Sequence, residues 1–278
     1  MFTYFPTSLV AALEQLFTLF GLTFALSWTS YHVSMGLREL GSERLGLGYF
    51  FVVAPGVVCH ETGHALGCLL TGKRIVEFVP FGPRAERGGV TLGYVRHEAS
   101  PSILGRAGEF FVATGPVWFG GIVTLVIVRL LVGTSPFESL SGMKSAPSAL
   151  LPYLVSVAST ASSLALRAFA VWHWHGPLDA VLIYLLVCVA SEITLSGPDM
   201  QGMWVGLVAI CTLVVVGNFI PFFDAMLEAG TARLRPWLFL LHVTLAFALL
   251  LDVCFYALYR ALDAIFPQKP ETEKGIGK

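Results

Sequence analysis

Six stretches of this chain are each apolar over roughly 20 residues, the length a helix needs to cross a bilayer. They lie near 7–28, 47–70, 109–132, 178–196, 202–221 and 237–259. Only 13% of the 278 residues are charged, about half the share of a soluble domain, typically about 25%. The fold class expected is an all-α polytopic membrane protein of about six transmembrane helices. A run at 147–172 carries Arg167 and many small polar residues, which leaves it a weak span, an interfacial helix or a re-entrant piece. Residues 1–266 read as a single membrane domain, and 267–278 as a polar, disordered tail.

Charge orients the helices. Lys73, Arg74, Arg84, Arg87, Arg96 and Arg106 gather between the second and third runs, which places that segment in the cytoplasm. Arg260, Lys269, Lys274 and Lys278 near the end favour the same side. Six spans then put both termini inside, in a multi-pass protein of the cell membrane. Within the basic segment, "KRIVEFVPF" and "GGVTLGYVR" are rich in β-branched and aromatic residues and are separated by "GPRAERGG". A small cytoplasmic β-hairpin is expected there. The net charge is −1 with no basic block, which argues against nucleic acid as a partner. The five cysteines are scattered through apolar segments and form no CxxC pair, so they read as small buried hydrophobes.

Against this apolar background stands "CHETGHA", residues 59–65. His60-Glu61-Thr62-Gly63-His64 is HExxH. On a helix, residues four apart share a face, so two neutral imidazoles can grip one Zn²⁺ while Glu61 lies beside them. Zinc lowers the pKa of a bound water to about 7, and a neighbouring carboxylate can take its proton. Composition alone predicts roughly 0.01 such matches in the chain. Ionisable groups within a membrane span are costly and are usually functional.

The stretch "GVVCHETGHALGCLLTGKRIVEFVPFG" resembles the site-2 protease family of intramembrane zinc metalloproteases, over about a third of the chain. The resemblance implies one zinc per chain, with His60 and His64 as ligands and Glu61 as catalytic general base. It also implies a membrane-anchored protein as substrate. That family draws its third ligand from an Asp in an NxxPxxxLDG motif, and this chain has no LDG. Asp199 in "SEITLSGPDMQG", Asp224 in "GNFIPFFDAM" and Glu192 are the candidates. In the six-span arrangement the junction at 197–201 shares the cytoplasmic side with HETGH, whereas 222–236 lies across the membrane. That favours Asp199, although an Asp before a helix could equally be a capping residue. Glu192 could instead support a ligand histidine through its ring N–H. A prenyl-protein-type metalloprotease with Glu192 as ligand, a metal transporter and a non-catalytic zinc-binding protein are the alternatives. Gly115-Pro116 and Gly120-Gly121 predict a kink or close helix approach. His173 and His175 read as interfacial residues, His97 and Glu98 as solvated ones, and His242 as a packed or pore-facing polar group. Substrate identity and oligomeric state are not written in the sequence.

Overall fold

The computed structural model describes residues 4–86, 89–98, 102–132, 150–171 and 174–266. Helix α1 (Tyr4–Leu16) runs through one π turn (Phe17–Gly21) into α2 (Leu22–Leu45). Gly46, at φ +56°, ends α2 in a conformation only glycine adopts readily. A short α3 (Gly48–Val52) precedes α4 (Ala54–Leu70), which carries HETGH. After α5 (Ile103–Val132) come α6 (Leu150–Val171), α7 (Pro177–Glu192), α8 (Gly197–Gly217) and α9 (Pro221–Ile265). Prolines 55, 177, 198 and 221 open α4, α7, α8 and α9, where a missing N–H costs nothing.

The segment between α4 and α5 forms the expected β structure. Strand β1 (Ile75–Val79) pairs antiparallel with β4 (Tyr94–His97). Further out, β2 (Arg84–Glu86) pairs with β3 (Gly89–Thr91), so part of the stretch read as a connection is itself strand. Leu92 pins this arm to α3 and α4 by packing with Val53 and Val57.

Helix α4 packs between α5 and α7, α5 also meets α8, and α9 packs against α2 and α6. Small residues set these distances. A Cβ on Gly63 would lie 2.5 Å from Pro116 Cα, and one on Gly56 would lie 2.0 Å from the Cys188 carbonyl oxygen. His242 is fully buried; one ring nitrogen meets Thr23 Oγ1 at 2.8 Å and the other Tyr153 OH at 2.7 Å. It is a packed polar pin joining α2, α6 and α9. Cys59, Cys68 and Cys188 are buried as expected, whereas Cys254 is exposed.

Among the described residues the all-α class holds, with the β arm as its one departure, but six uninterrupted spans are not supported. Among the described residues two helices are long and apolar enough to cross a membrane, α5 from Gly105 and α9. A third arises if α7 and the start of α8, bent by 50° at their junction, count as one. The reasons are local. The run at 47–70 breaks at Val53, just before Ala54-Pro55, and leaves α4 with 17 residues. Pro55 has no N–H for the carbonyl four residues back and its ring crowds that carbonyl, so the helix breaks ahead of it. The run at 7–28 is interrupted by the π turn and continues into the polar half of α2. The runs at 178–196 and 202–221 do not turn back on each other; the chain goes on through a bend. Residues 222–236, expected as a loop, are helical within α9. The tail at 267–278 and His173 lie outside the described residues.

A candidate metal centre

The two histidines of α4 face each other, with their Nε2 atoms 3.1 Å apart. Their other ring nitrogens are occupied. His60 Nδ1–H donates to the Glu192 carbonyl at 2.9 Å, and His64 Nδ1–H donates to the Val112 carbonyl at 2.9 Å. A carbonyl can only accept, so in each neutral ring the proton sits on Nδ1 and the Nε2 lone pair is free. Both lone pairs therefore point into one space.

Asp199 closes that space from α8. Its Oδ1 lies 3.1 Å from His64 Nε2, and its Oδ2 lies 3.6 Å from His60 Nε2. Its position is set by a capping box. Ser196 is the N-cap of α8; its backbone N–H and its hydroxyl both donate to Asp199 Oδ2, at 2.9 and 2.6 Å. The Asp199 backbone N–H donates in turn to Ser196 Oγ at 3.3 Å. The expectations of a ligand and of a capping residue both describe this side chain. It serves the helix end with Oδ2, which also faces His60, and turns Oδ1 to His64.

The three ligand atoms lie within 4.8 Å of one another. With both rings neutral, two imidazole lone pairs and a carboxylate converge with no proton donor among them, an arrangement a cation resolves. The donor set fits a divalent transition metal that accepts nitrogen and oxygen ligands.

Glu61 lies next to this cluster and is 8% exposed. Its carboxylate makes no hydrogen bond or ion pair among the described residues, and it lines a cavity of about 330 Å³ shared with His60, His64 and Asp199. The β arm forms the opposite wall. A Cβ on Gly93 would stand 2.8 Å from Glu61 Cγ, so the arm's backbone lies directly on the glutamate. Tyr94, His97 and Glu109 complete the mouth of the cavity. Tyr94 OH donates to Glu77 at 2.6 Å, and that bond holds the phenol's proton and raises its pKa. His97 is not simply solvated: its Nε2 lies 3.3 Å from Glu109, which also accepts from the buried Lys73. Glu98 is exposed, as expected.

Neither alternative third ligand joins the cluster. Glu192 is 5% exposed, and its carboxylate is paired with Arg38 from α2. The supporting role expected of its side chain belongs to its backbone carbonyl. As the last residue of α7 it has a carbonyl without an intrahelical partner, and His60 supplies one. Asp224 sits in the first turn of α9, beyond the whole of α8 and about 30 Å away along that helix at 1.5 Å per residue. Asp199 meets the histidines because the chain breaks and bends between Glu192 and Gly197, not because two spans turn there at one membrane face. Sequence reasoning missed Arg38, Ser196 and the carbonyls of Val112 and Glu192. Only Ser196 carried a local signal, as the serine three residues before an acidic residue at a helix start.

Comparison with known proteins finds no match to any family model, any curated protein or any solved structure.

Proposed function

We propose that this chain is an intramembrane zinc metallopeptidase of the site-2 protease type. The observation that carries the reading is the convergence of His60, His64 and Asp199 in one cavity beside a buried Glu61 whose carboxylate has no hydrogen bond or ion pair among the described residues. His60, His64 and Asp199 would hold the zinc, which supplies a Lewis acid that polarises a peptide carbonyl and acidifies water. Glu61 takes the proton from the attacking water and returns it to the departing amine. The lack of a hydrogen bond to its carboxylate among the described residues suits a group that must accept and release a proton. The third ligand departs from the family's LDG motif and comes instead from the capping box of α8.

The substrate class is a membrane-anchored protein. A helical substrate shields its amides in its own hydrogen bonds, so the scissile stretch must enter extended. The β arm against the cavity is suited to pair with such a stretch by strand addition. Glu192 cannot take the ligand role that a prenyl-protein-type enzyme would require while it neutralises Arg38. The protein is read as multi-pass in the cell membrane, with the basic arm at 73–97 on the cytoplasmic side.

The test is Glu61→Gln in detergent-purified protein, assayed on a fluorogenic membrane-peptide panel with zinc measured in the same sample. Loss of a general base slows turnover by roughly 10²–10⁴-fold. The variant should keep its zinc and lose cleavage. Cleavage at the wild-type rate would overturn Glu61's role; wild-type protein without zinc would overturn the metal centre.

A further inference from the structure

The acceptor that orients His64 is the carbonyl of Val112, inside α5. A carbonyl in mid-helix ordinarily accepts from the N–H four residues on. Four residues on from Val112 is Pro116, within the same helix, and proline has no N–H. The Val112 carbonyl is thus released from its helical duty at the point where α4 presents His64. The same proline lies at the closest approach of the two helices, where Gly63 of HETGH would, with a Cβ, come within 2.5 Å of Pro116 Cα. Gly115 answers from the other side: a Cβ there would lie 2.2 Å from the Gly63 carbonyl oxygen. Close approach and a freed acceptor occur at one crossing.

We propose that Pro116 is a positioning residue of the metal centre: by withholding its N–H it frees the Val112 carbonyl to hold His64 on Nδ1 and so aims Nε2 at the metal. This rests on the reading of His60, His64 and Asp199 as a metal centre. It makes Pro116 more than a kink. A proline that only bends α5 is a liability to that helix, and its removal should strengthen the helix and leave the site alone. A proline that releases an acceptor gives effects of opposite sign on stability and on metal binding.

The experiment compares wild type with Pro116→Ala and Pro116→Gly, full chain in detergent. Both variants restore the N–H, but alanine favours a helix and glycine does not. Zinc affinity is measured by competition with a chromophoric chelator, and thermal unfolding is followed in metal-free protein. Loss of an outer partner to a metal-bound histidine typically weakens binding by about 10–100-fold. Both variants should lose zinc affinity by roughly tenfold, while metal-free Pro116→Ala unfolds no lower than wild type. Affinity equal to wild type in a folded variant overturns the proposal, as does affinity that follows helix stability instead of the N–H. The tautomer is read separately by ¹⁵N NMR of histidine-labelled, metal-free wild type, with His64 assigned through His64→Gln. A proton on Nδ1 is expected; one on Nε2 overturns the proposal without need of a Pro116 variant. Wild type that binds no zinc yet holds the Nδ1 tautomer would sink the metal reading and leave the orienting contact standing.

Discussion

Two imidazoles four residues apart do not themselves decide which nitrogens face each other. Here two backbone carbonyls decide it, by holding both Nδ1 protons. In the neutral rings each Nε2 is then an acceptor, and Asp199 adds a negative charge in place of a donor. Asp199→Ala should therefore take zinc from about one per chain to near none, because a catalytic zinc site keeps three protein ligands. Asp224→Ala should leave it unchanged; elemental analysis of both purified variants checks the pair. HETGH was legible because the four-residue spacing is a property of any α-helix. The orienting carbonyls were not, since a backbone atom has no letter of its own and its freedom depends on which helix lies opposite. Pro116 did have a letter, but without the crossing of α4 and α5 it reads only as a kink.

The elements bring the ligands together by ending and touching at particular places. Ser196 starts α8 and anchors Asp199 through two hydrogen bonds, one of them from its hydroxyl. Ser196→Ala should cost about 1 kcal/mol of stability, the usual price of a lost N-cap. It should also weaken zinc binding, since Asp199 Oδ2 loses its shortest partner; thermal unfolding and chelator competition report the two effects. Gly63 lies where α4 and α5 nearly touch. Gly63→Ala should destabilise the protein by roughly 1–3 kcal/mol through overpacking, read as a lower unfolding midpoint in detergent. The strands of the arm were legible from β-branched residues set between glycines and prolines. The helix breaks at Val53 and at 193–196 were not, because long apolar runs look alike whether a helix continues, bends or turns back. Asp199 was thus reached through a six-span topology that the described helices do not support. What survived from that argument was the placement of Asp199 near a helix junction, and the junction is what carries it to the histidines.

At the scale of the whole molecule, the β arm, α5 and α4 share one polar seam. Lys73 follows α4, His97 ends β4, and both meet Glu109 of α5. The seam opens into the cavity that holds Glu61, so the arm's side of the membrane is also the side of the candidate chemistry. Arg74 is well exposed on the arm, at 81% of its side chain. Arg74→Cys should react with a membrane-impermeant maleimide in inverted vesicles and stay protected in right-side-out ones, once Cys254→Ser removes the exposed native thiol; labelling on the opposite side would reverse the orientation. The membrane character of the chain was legible from composition, whereas the number of crossings depended on breaks that composition hides.

The break between α7 and α8 also bears on how the chain is made. His60 and the carbonyl that orients it are 132 positions apart. Val112, which orients His64, follows it by only 48 positions, but synthesis produces His60 long before the residue that can orient it. Until Glu192 and Asp199 follow, the His60 ring and the unshared Nε2 lone pairs must wait in a partly built helical assembly, where uncompensated polar groups are costly. The site is finished last: a nascent chain halted before α7 holds His64 on Val112, but has neither the carbonyl that aims His60 nor the carboxylate that closes the cluster.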